Sequence, residues 1–290
     1  MHAVPSRGGR SLSGGCVARH GRARFWGEPG PWRAWHSCGW IAGSKGRRAR
    51  GMSRMGRVSQ TGARPSDGDV WARYAASRRK DEGPRGRVYW DWYQRYGPGA
   101  EVLGELDGRS VVDLGAGTGR VAAHLAEGWG AERVWAVDSS EESVRLGRQR
   151  FGEVPGVTFV RAEATGWLTA RPGSVDVAYS AFGAADFTDP YALLPAVAEA
   201  LRPGGKLLIA TLGHFHSGEP PHDDVRPVTI PVAEGAVQRW VLAMPVWERL
   251  LTDHGFTDVT GRLINDSGPA GRPPVATVLL LAERPGNPRR

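Results

Sequence analysis

The sequence predicts an α/β fold, a doubly wound and mostly parallel sheet. Three observations carry the prediction. Val111-Val112-Asp113-Leu114 is β-branched and apolar enough for a strand covered on both faces. Three alternate glycines, Gly115, Gly117 and Gly119, then lead into a helical pattern over residues 121–127. Strand-like and helix-like segments go on alternating toward the C-terminus. Glycine tolerates sharp turns and lets another group approach the backbone closely. A strand, glycine turn and helix in that order bind a nucleotide-like cofactor at the carboxyl edge of a parallel sheet.

The glycine spacing narrows the cofactor. A dinucleotide fingerprint runs GxGxxG, its third glycine allowing close packing of helix on strand. Here the third glycine, Gly119, comes one position early, and Arg120 stands where it is expected. The run from Asp113 to Gly119 instead resembles the first motif of the class I S-adenosylmethionine-dependent methyltransferases: an acidic residue, an apolar residue, then GxGxG. The resemblance implies a Rossmann-like sheet of seven strands, one of them antiparallel and C-terminal. It also implies S-adenosylmethionine as cofactor, held at Asp113, Gly115, Gly117 and Gly119.

A second strand is predicted over residues 133–137, ending in Asp138. A carboxylate there can accept protons from two adjacent ribose hydroxyls, in charge-assisted hydrogen bonds. Asp138, Ser139 or Ser140 can equally cap the following helix, which carries Glu141, Glu142, Val144 and Leu146. The two roles are compatible at one turn. The third strand, residues 157–161, leads into Ala162-Glu163-Ala164, a small-acidic pair where the family resemblance implies contact with adenine. Glu163 fits a solvated loop charge as well.

A fourth strand follows over residues 174–180, and its last residue, Ser180, is grouped with the cofactor-binding candidates. A helix from about Tyr191 ends at Leu201, where Pro203-Gly204-Gly205 block it before the apolar run of a fifth strand. A helix over residues 245–255 and strands over 256–264 and 275–282 complete the pattern, the last two resembling the family's closing hairpin. The resemblance covers residues 111–283.

Charge is unevenly placed along the 290 residues. Residues 1–60 hold twelve Lys/Arg and one acid, Glu28; residues 61–290 hold twenty-six and twenty-nine, so +11 and −3 sum to the net +8. The basic character therefore belongs to the leader, and it gives no support to a nucleic-acid partner for the domain behind it. That leader is rich in Gly, Arg and Ser and lacks periodicity, so it is expected to be disordered despite Trp26, Trp32, Trp35 and Trp40. Met52 and Met55 stand where the composition turns ordinary, so residues 1–51 are expected to be dispensable for activity. Residues 61–290 form the catalytic domain: a cap at 61–108, the core sheet at 111–283, and an acceptor-side insertion at 213–243. The longest apolar run falls well short of the about 20 residues that span a bilayer, and neither a signal peptide nor a transit helix is evident. A cytoplasmic protein without membrane contact is expected. Both cysteines, Cys16 and Cys38, sit in the leader, which leaves the domain without a thiol nucleophile or thiolate metal site.

Methyl transfer needs an acceptor lone pair held in line with the S–CH₃ bond, together with exclusion of water and, for a hydroxyl acceptor, removal of a proton. Aromatic residues crowd residues 71–96, where Trp92 and Tyr93 are candidates to face the acceptor; core packing explains such rings equally. Phe182 either lines the acceptor pocket or covers the end of its strand. Residues 180–187 contain no Asn-Pro-Pro-Tyr, the signature with which related enzymes grip planar amino groups, so amino methylation of nucleic acid is disfavoured. His214 and His216 are candidate general bases. With His222, Asp223 and Asp224 they form a polar cluster that could instead hold a metal or be a solvated loop around Pro220-Pro221; no metal is expected. A hairpin is predicted from residues 228–232 and 237–241 around Glu234-Gly235, over the active-site edge. Arg226 and Arg239 could engage an acidic substrate, but exposed arginines usually have no such role, and both are read as exposed.

The resulting expectation is methyl transfer from S-adenosylmethionine to a small-molecule acceptor. The alternatives are a nucleic-acid or protein methyltransferase anchored by the basic leader, a binding module without turnover, and a nicotinamide dehydrogenase, which the glycine register disfavours. Sequence alone leaves the oligomeric state open.

Overall fold

The computed structural model describes residues 70–73, 86–232 and 235–286, all within the unit Met55–Arg290. The basic leader, both cysteines, Met52, Met55 and Tyr74 lie outside the described residues. Seven strands form one sheet in the order β3-β2-β1-β4-β5-β9-β8. They are β1 (Ser110–Leu114), β2 (Arg133–Asp138), β3 (Val157–Arg161), β4 (Val175–Ala181), β5 (Leu201–Leu212), β8 (Thr257–Asp266) and β9 (Val275–Glu283). Strands β1 to β5 pair in parallel, and β9 runs antiparallel between β5 and β8. This is the predicted α/β architecture, a mostly parallel seven-stranded sheet with one antiparallel C-terminal strand.

Alternation along each central strand feeds two cores. Val112 and Leu114 of β1, Leu207 and Ile209 of β5, and Val278 and Leu280 of β9 point to one face. There they meet α3 (Ala164–Thr169), α5 (Pro190–Ala200) and α6 (Met244–Asp253) through Trp167, Leu194 and Trp247. Val111, Tyr179, Leu208 and Leu279 point to the other, against α1 (Arg120–Gly128), α2 (Glu141–Phe151) and the pre-strand residues Trp90 and Leu103. Burial on both faces explains why these strands read as continuous apolar runs rather than alternating ones. Helix α2 is capped by Ser140, whose hydroxyl accepts from the Ser143 amide at 3.2 Å, which resolves the three-way choice at residues 138–140.

One local difference from the sequence reading has a clear cause. The Pro203-Gly204-Gly205 turn lies inside the span of β5, as a bulge: Val175 pairs with Leu201 and Val177 with Lys206, so the intervening residues loop out of register. The aromatic pre-strand segment is not a helix over residues 86–99. The buried Asp91 gathers it into a turn by accepting from the amides of Tyr93, Arg95 and Tyr96. A one-turn helix, α4 (Ala184–Phe187), follows β4. The hairpin forms as a separate two-stranded sheet of β6 (Val228–Val232) and β7 (Gly235–Arg239). Among the described residues no helix is long and apolar enough to cross a membrane.

Candidate active site

The three glycines after β1 all adopt left-handed backbone, with φ of 80° at Gly115, 56° at Gly117 and 71° at Gly119, yet they serve different ends. A Cβ on Gly115 would run into the Ala184 amide and lie 2.7 Å from the Gly183 Cα. One on Gly119 would strike the ring of Phe159, with Cζ at 2.9 Å. Both are packing glycines. Gly119 performs the close helix-to-strand contact one position earlier than a dinucleotide fold would. At Gly117 a Cβ would meet nothing within 4 Å. That position alone of the three opens outward, as a backbone cradle for a ligand requires.

Asp138 stands beside that cradle. Its Oδ2 accepts from the Gly117 amide at 2.7 Å and its Oδ1 from the Ser140 amide at 2.9 Å. The Ser143 side chain also bonds this carboxylate, and because each oxygen can accept twice, accepting capacity remains for a ribose hydroxyl. Burial pushes the Asp138 carboxyl above its ordinary value, and the Glu163 charge adds to the rise, while the two amides oppose it. Ala162 ties into the same turn, its amide donating to the Asp138 carbonyl at 3.1 Å, and Ser139 is half-buried next to it. Deeper in the cleft, burial raises Asp113 to about 7; the Tyr179 hydroxyl beside it opposes the rise and the Asp138 charge adds to it. Ser180 is fully engaged within the protein: its hydroxyl donates to the Leu114 carbonyl and accepts from the Ala185 amide, both at 3.0 Å. It locks β4 to β1 and leaves only backbone for a ligand.

Across the edge, residues 182–187 link this cleft to an aromatic cluster. Phe182 has φ of 53°, a conformation costly for a bulky residue, and Gly183 behind it presses on the carbonyls of Leu114 and Gly115. The Trp92 ring meets Phe182 at 4.9 Å and His216 at 4.8 Å, edge to face in both cases. Tyr93 packs with Trp92 and Phe182 on Leu212, Val241 and Val275, and its hydroxyl donates to the Pro273 carbonyl at 2.7 Å. Under the rings lies an ion pair. Arg239, 6% exposed, donates Nε–H at 3.1 Å and Nη2–H at 2.5 Å to Oδ2 of the fully buried Asp186. Its Cζ is 5.7 Å from the centroid of Trp92 and 5.1 Å from that of Phe187. The reading of Arg239 as an exposed arginine is therefore corrected. Strand β7 carries it inward, where a charge must be paired to be tolerated.

The two candidate bases separate. His214 Nδ1 donates to the Phe215 carbonyl at 2.7 Å and Nε2 accepts from the Ala276 amide at 3.0 Å, so both nitrogens are engaged and Nε2 clamps the loop to β9. His216 keeps an exposed edge. Loss of hydration among the rings, then the charges of Arg239 and His214, push it down to about 4, so it is neutral near pH 7 and a weak base. Among the described residues no group of three or more His, Cys, Asp or Glu side chains is placed to hold a metal ion.

Comparison with known proteins agrees with this geometry. The family profile of a methyltransferase domain matches residues 111–205, which run from β1 into β5. Residues 111–205 thus carry a methyltransferase domain, and its match is consistent with the class I S-adenosylmethionine-dependent family. The chain is 38% identical over 116 residues to a trans-aconitate 2-methyltransferase of Azoarcus sp., covering 40% of this chain and 43% of that protein. It is 32% identical over 132 residues to a ubiquinone/menaquinone biosynthesis C-methyltransferase of Shewanella piezotolerans, covering 44% and 50%. The chain thus spans about half the length or less of these curated relatives. A solved structure from Listeria monocytogenes, described as an S-adenosylmethionine dependent methyltransferase, superposes with a TM-score of 0.51 at 17% identity, over 63% of this chain and 94% of that one. That last likeness is one of fold.

Within the methyltransferase fold, Asp113, the three glycines, Asp138, Ser139, Ala162 and Glu163 gather around the carboxyl ends of β1, β2 and β3. Trp92, Phe182 and His216 gather on the other side of residues 182–184, while His214 and the Tyr93 hydroxyl are tied elsewhere. Sequence reasoning missed Asp186 and the inward turn of Arg239. The two lie 53 residues apart and form a pair only through the hairpin, so no local spacing announces them.

Proposed function

We propose that this protein transfers a methyl group from S-adenosylmethionine to a small-molecule acceptor by direct in-line displacement. The observation that carries the reading is the open face of Gly117 beside a carboxylate that keeps accepting capacity beyond its bonds within the protein. The residues present fit the cofactor. Asp138 would hold the ribose hydroxyls, the Gly117 backbone would admit the methionine chain, and Asp113 would receive its ammonium group. Ala162 and Glu163 would border the base. When bound, the cofactor supplies an electrophilic methyl group on a sulfonium.

The chain's own contribution is positioning. Phe182 and Gly183 connect the glycine loop to the aromatic cluster, so the donor and acceptor sites share one rigid segment. Trp92, Phe182 and His216 would exclude water around the acceptor, and effective concentration would supply much of the acceleration. Two curated relatives carry names of small-molecule methyltransferases, which supports that acceptor class over a macromolecular one. A cytoplasmic location fits the same reading.

Calorimetry tests it. S-adenosylhomocysteine is expected to bind, a nicotinamide dinucleotide is not, and Asp138→Ala is expected to weaken the former by about 100-fold, the loss of two charge-assisted hydrogen bonds. Binding of the dinucleotide in its place would overturn the assignment.

A further inference from the structure

Arg239 is only half used by its partner. A guanidinium offers two edges for paired hydrogen bonds, one formed by Nε with Nη2 and one by Nη1 with Nη2. Asp186 takes the first, through Oδ2 alone. Among the described residues Nη1 makes no hydrogen bond, and within a side chain more than nine-tenths buried it is not one of the atoms closed off from solvent. The pair therefore leaves one edge of a largely buried guanidinium facing outward, open to a ligand. The Thr211 hydroxyl beside Asp186 helps to hold that carboxylate in place. The faces of the guanidinium lie near Trp92 and Phe187, and its charge depresses the basicity of His216, so its field reaches the cluster where the acceptor is expected.

Resting on the methyltransferase reading above, we propose that Arg239 is the specificity-determining residue of the acceptor site, and that its free Nη1/Nη2 edge recognises a carboxylate on an acceptor with a planar, apolar body. Asp186 acts as a positioning residue. It fixes the guanidinium plane by holding one edge, which leaves the other aimed and pre-organised at little further entropic cost. The planar body stacks among Trp92, Phe182 and His216. The two histidines fit such an acceptor: His214 is engaged at both nitrogens and His216 is weakly basic, so neither is suited to deprotonate a weakly acidic hydroxyl. The positive charge of a bound sulfonium adds to the attraction for an anion.

The test uses the full chain saturated with S-adenosylhomocysteine. Calorimetry compares benzoate, trans-cinnamate and fumarate with their amides, which match them in shape and lack the charge. At least one acid is expected to bind ten-fold or more tightly than its amide. The double variant Arg239→Gln/Asp186→Asn keeps hydrogen-bonding groups and net charge; it should erase that preference while S-adenosylhomocysteine still binds as in the parent. In Asp186→Asn alone, the guanidinium loses its competing anion, so acid affinity should rise several-fold, an effect that a merely structural pair would not produce. Acids binding no better than amides, or a preference surviving the double variant, would overturn the proposal. Failure to bind S-adenosylhomocysteine at all would instead strike the methyltransferase reading, and melting curves report whether each variant is folded.

Discussion

On the cofactor side of the sheet edge, the groups that would touch a ligand are mostly backbone, brought together by neighbouring turns; Gly117 and Asp138 meet across 21 residues. On the acceptor side they are side chains delivered from far apart: Asp186 reaches Arg239 across 53 residues, and the Trp92 amide is anchored on Thr277 across 185. The first region is a property of one βαβ unit. The second exists only after the cap, the β4–β5 edge, the hairpin and β9 have all assembled. A change in the first should therefore act through backbone fit, and a change in the second through packing and charge.

The sharpest way to break the contrast is within the glycine loop itself. Gly115→Ala should cost about 3–5 kcal/mol, from overpacking against Gly183 and Ala184 plus a left-handed alanine, and should disturb both sites because those residues lead into the acceptor cluster. Gly117→Ala faces open space and should cost only about 1–2 kcal/mol for its backbone conformation. The same methyl group would nevertheless fill the cradle, so S-adenosylhomocysteine binding should drop by at least 10-fold while the protein still melts cooperatively. Melting curves and calorimetry on the pair separate the two roles. Native affinity in Gly117→Ala would mean that the ligand lies elsewhere.

This contrast also decides what the sequence could reveal. Strands β1 to β3 were legible because strand, glycine turn and helix follow one another in the chain, and Asp138 was legible because it closes the next strand. What the spacing did not show is that Gly115 and Gly119 face protein and Gly117 faces outward, since that depends on Phe159 and Gly183 from other elements. On the acceptor side, Trp92 and Phe182 stood out as aromatic residues near strand ends. Arg239 did not, because an arginine on a short strand carries no mark of the buried carboxylate awaiting it. His214 and His216 looked alike for the same reason: what distinguishes them, the Ala276 amide bonded to His214 and the Trp92 ring packed on His216, is remote in sequence.

A smaller effect is expected from the buried carboxyl of the cofactor side. Asp113 is raised to about 7, far above its value of about 4 in an unfolded chain, so the native state binds the extra proton. Its contribution to stability is present in full below pH 4 and is lost as pH rises through 7. Asp113→Asn should leave stability near pH 4 little changed and raise the melting temperature of the ligand-free protein by the order of 5 °C at pH 8. Cofactor affinity should fall in the same variant, because the ammonium group loses its counter-charge. Equal melting temperatures at pH 8 would show that Asp113 is already paired in the ligand-free protein.

The smallest expected effect distinguishes the two histidines. His214→Ala removes an acceptor from the Ala276 amide and a donor from the Phe215 carbonyl, both within reach of water, so it should cost about 1 kcal/mol of stability. If His214 is a clamp, turnover at saturating donor should stay within a few-fold of the parent, and the pH profile should keep its shape. His216→Ala should behave differently. It removes a ring from the acceptor cluster and should raise the KM of the acceptor more than it lowers kcat, since a base near 4 has little proton affinity to contribute. A hundred-fold loss of kcat in His214→Ala, with melting unchanged, would instead mean that substrate breaks the bond to Ala276 and frees Nε2 to take a proton. The acceptor side would then be a catalytic device rather than a recognition surface.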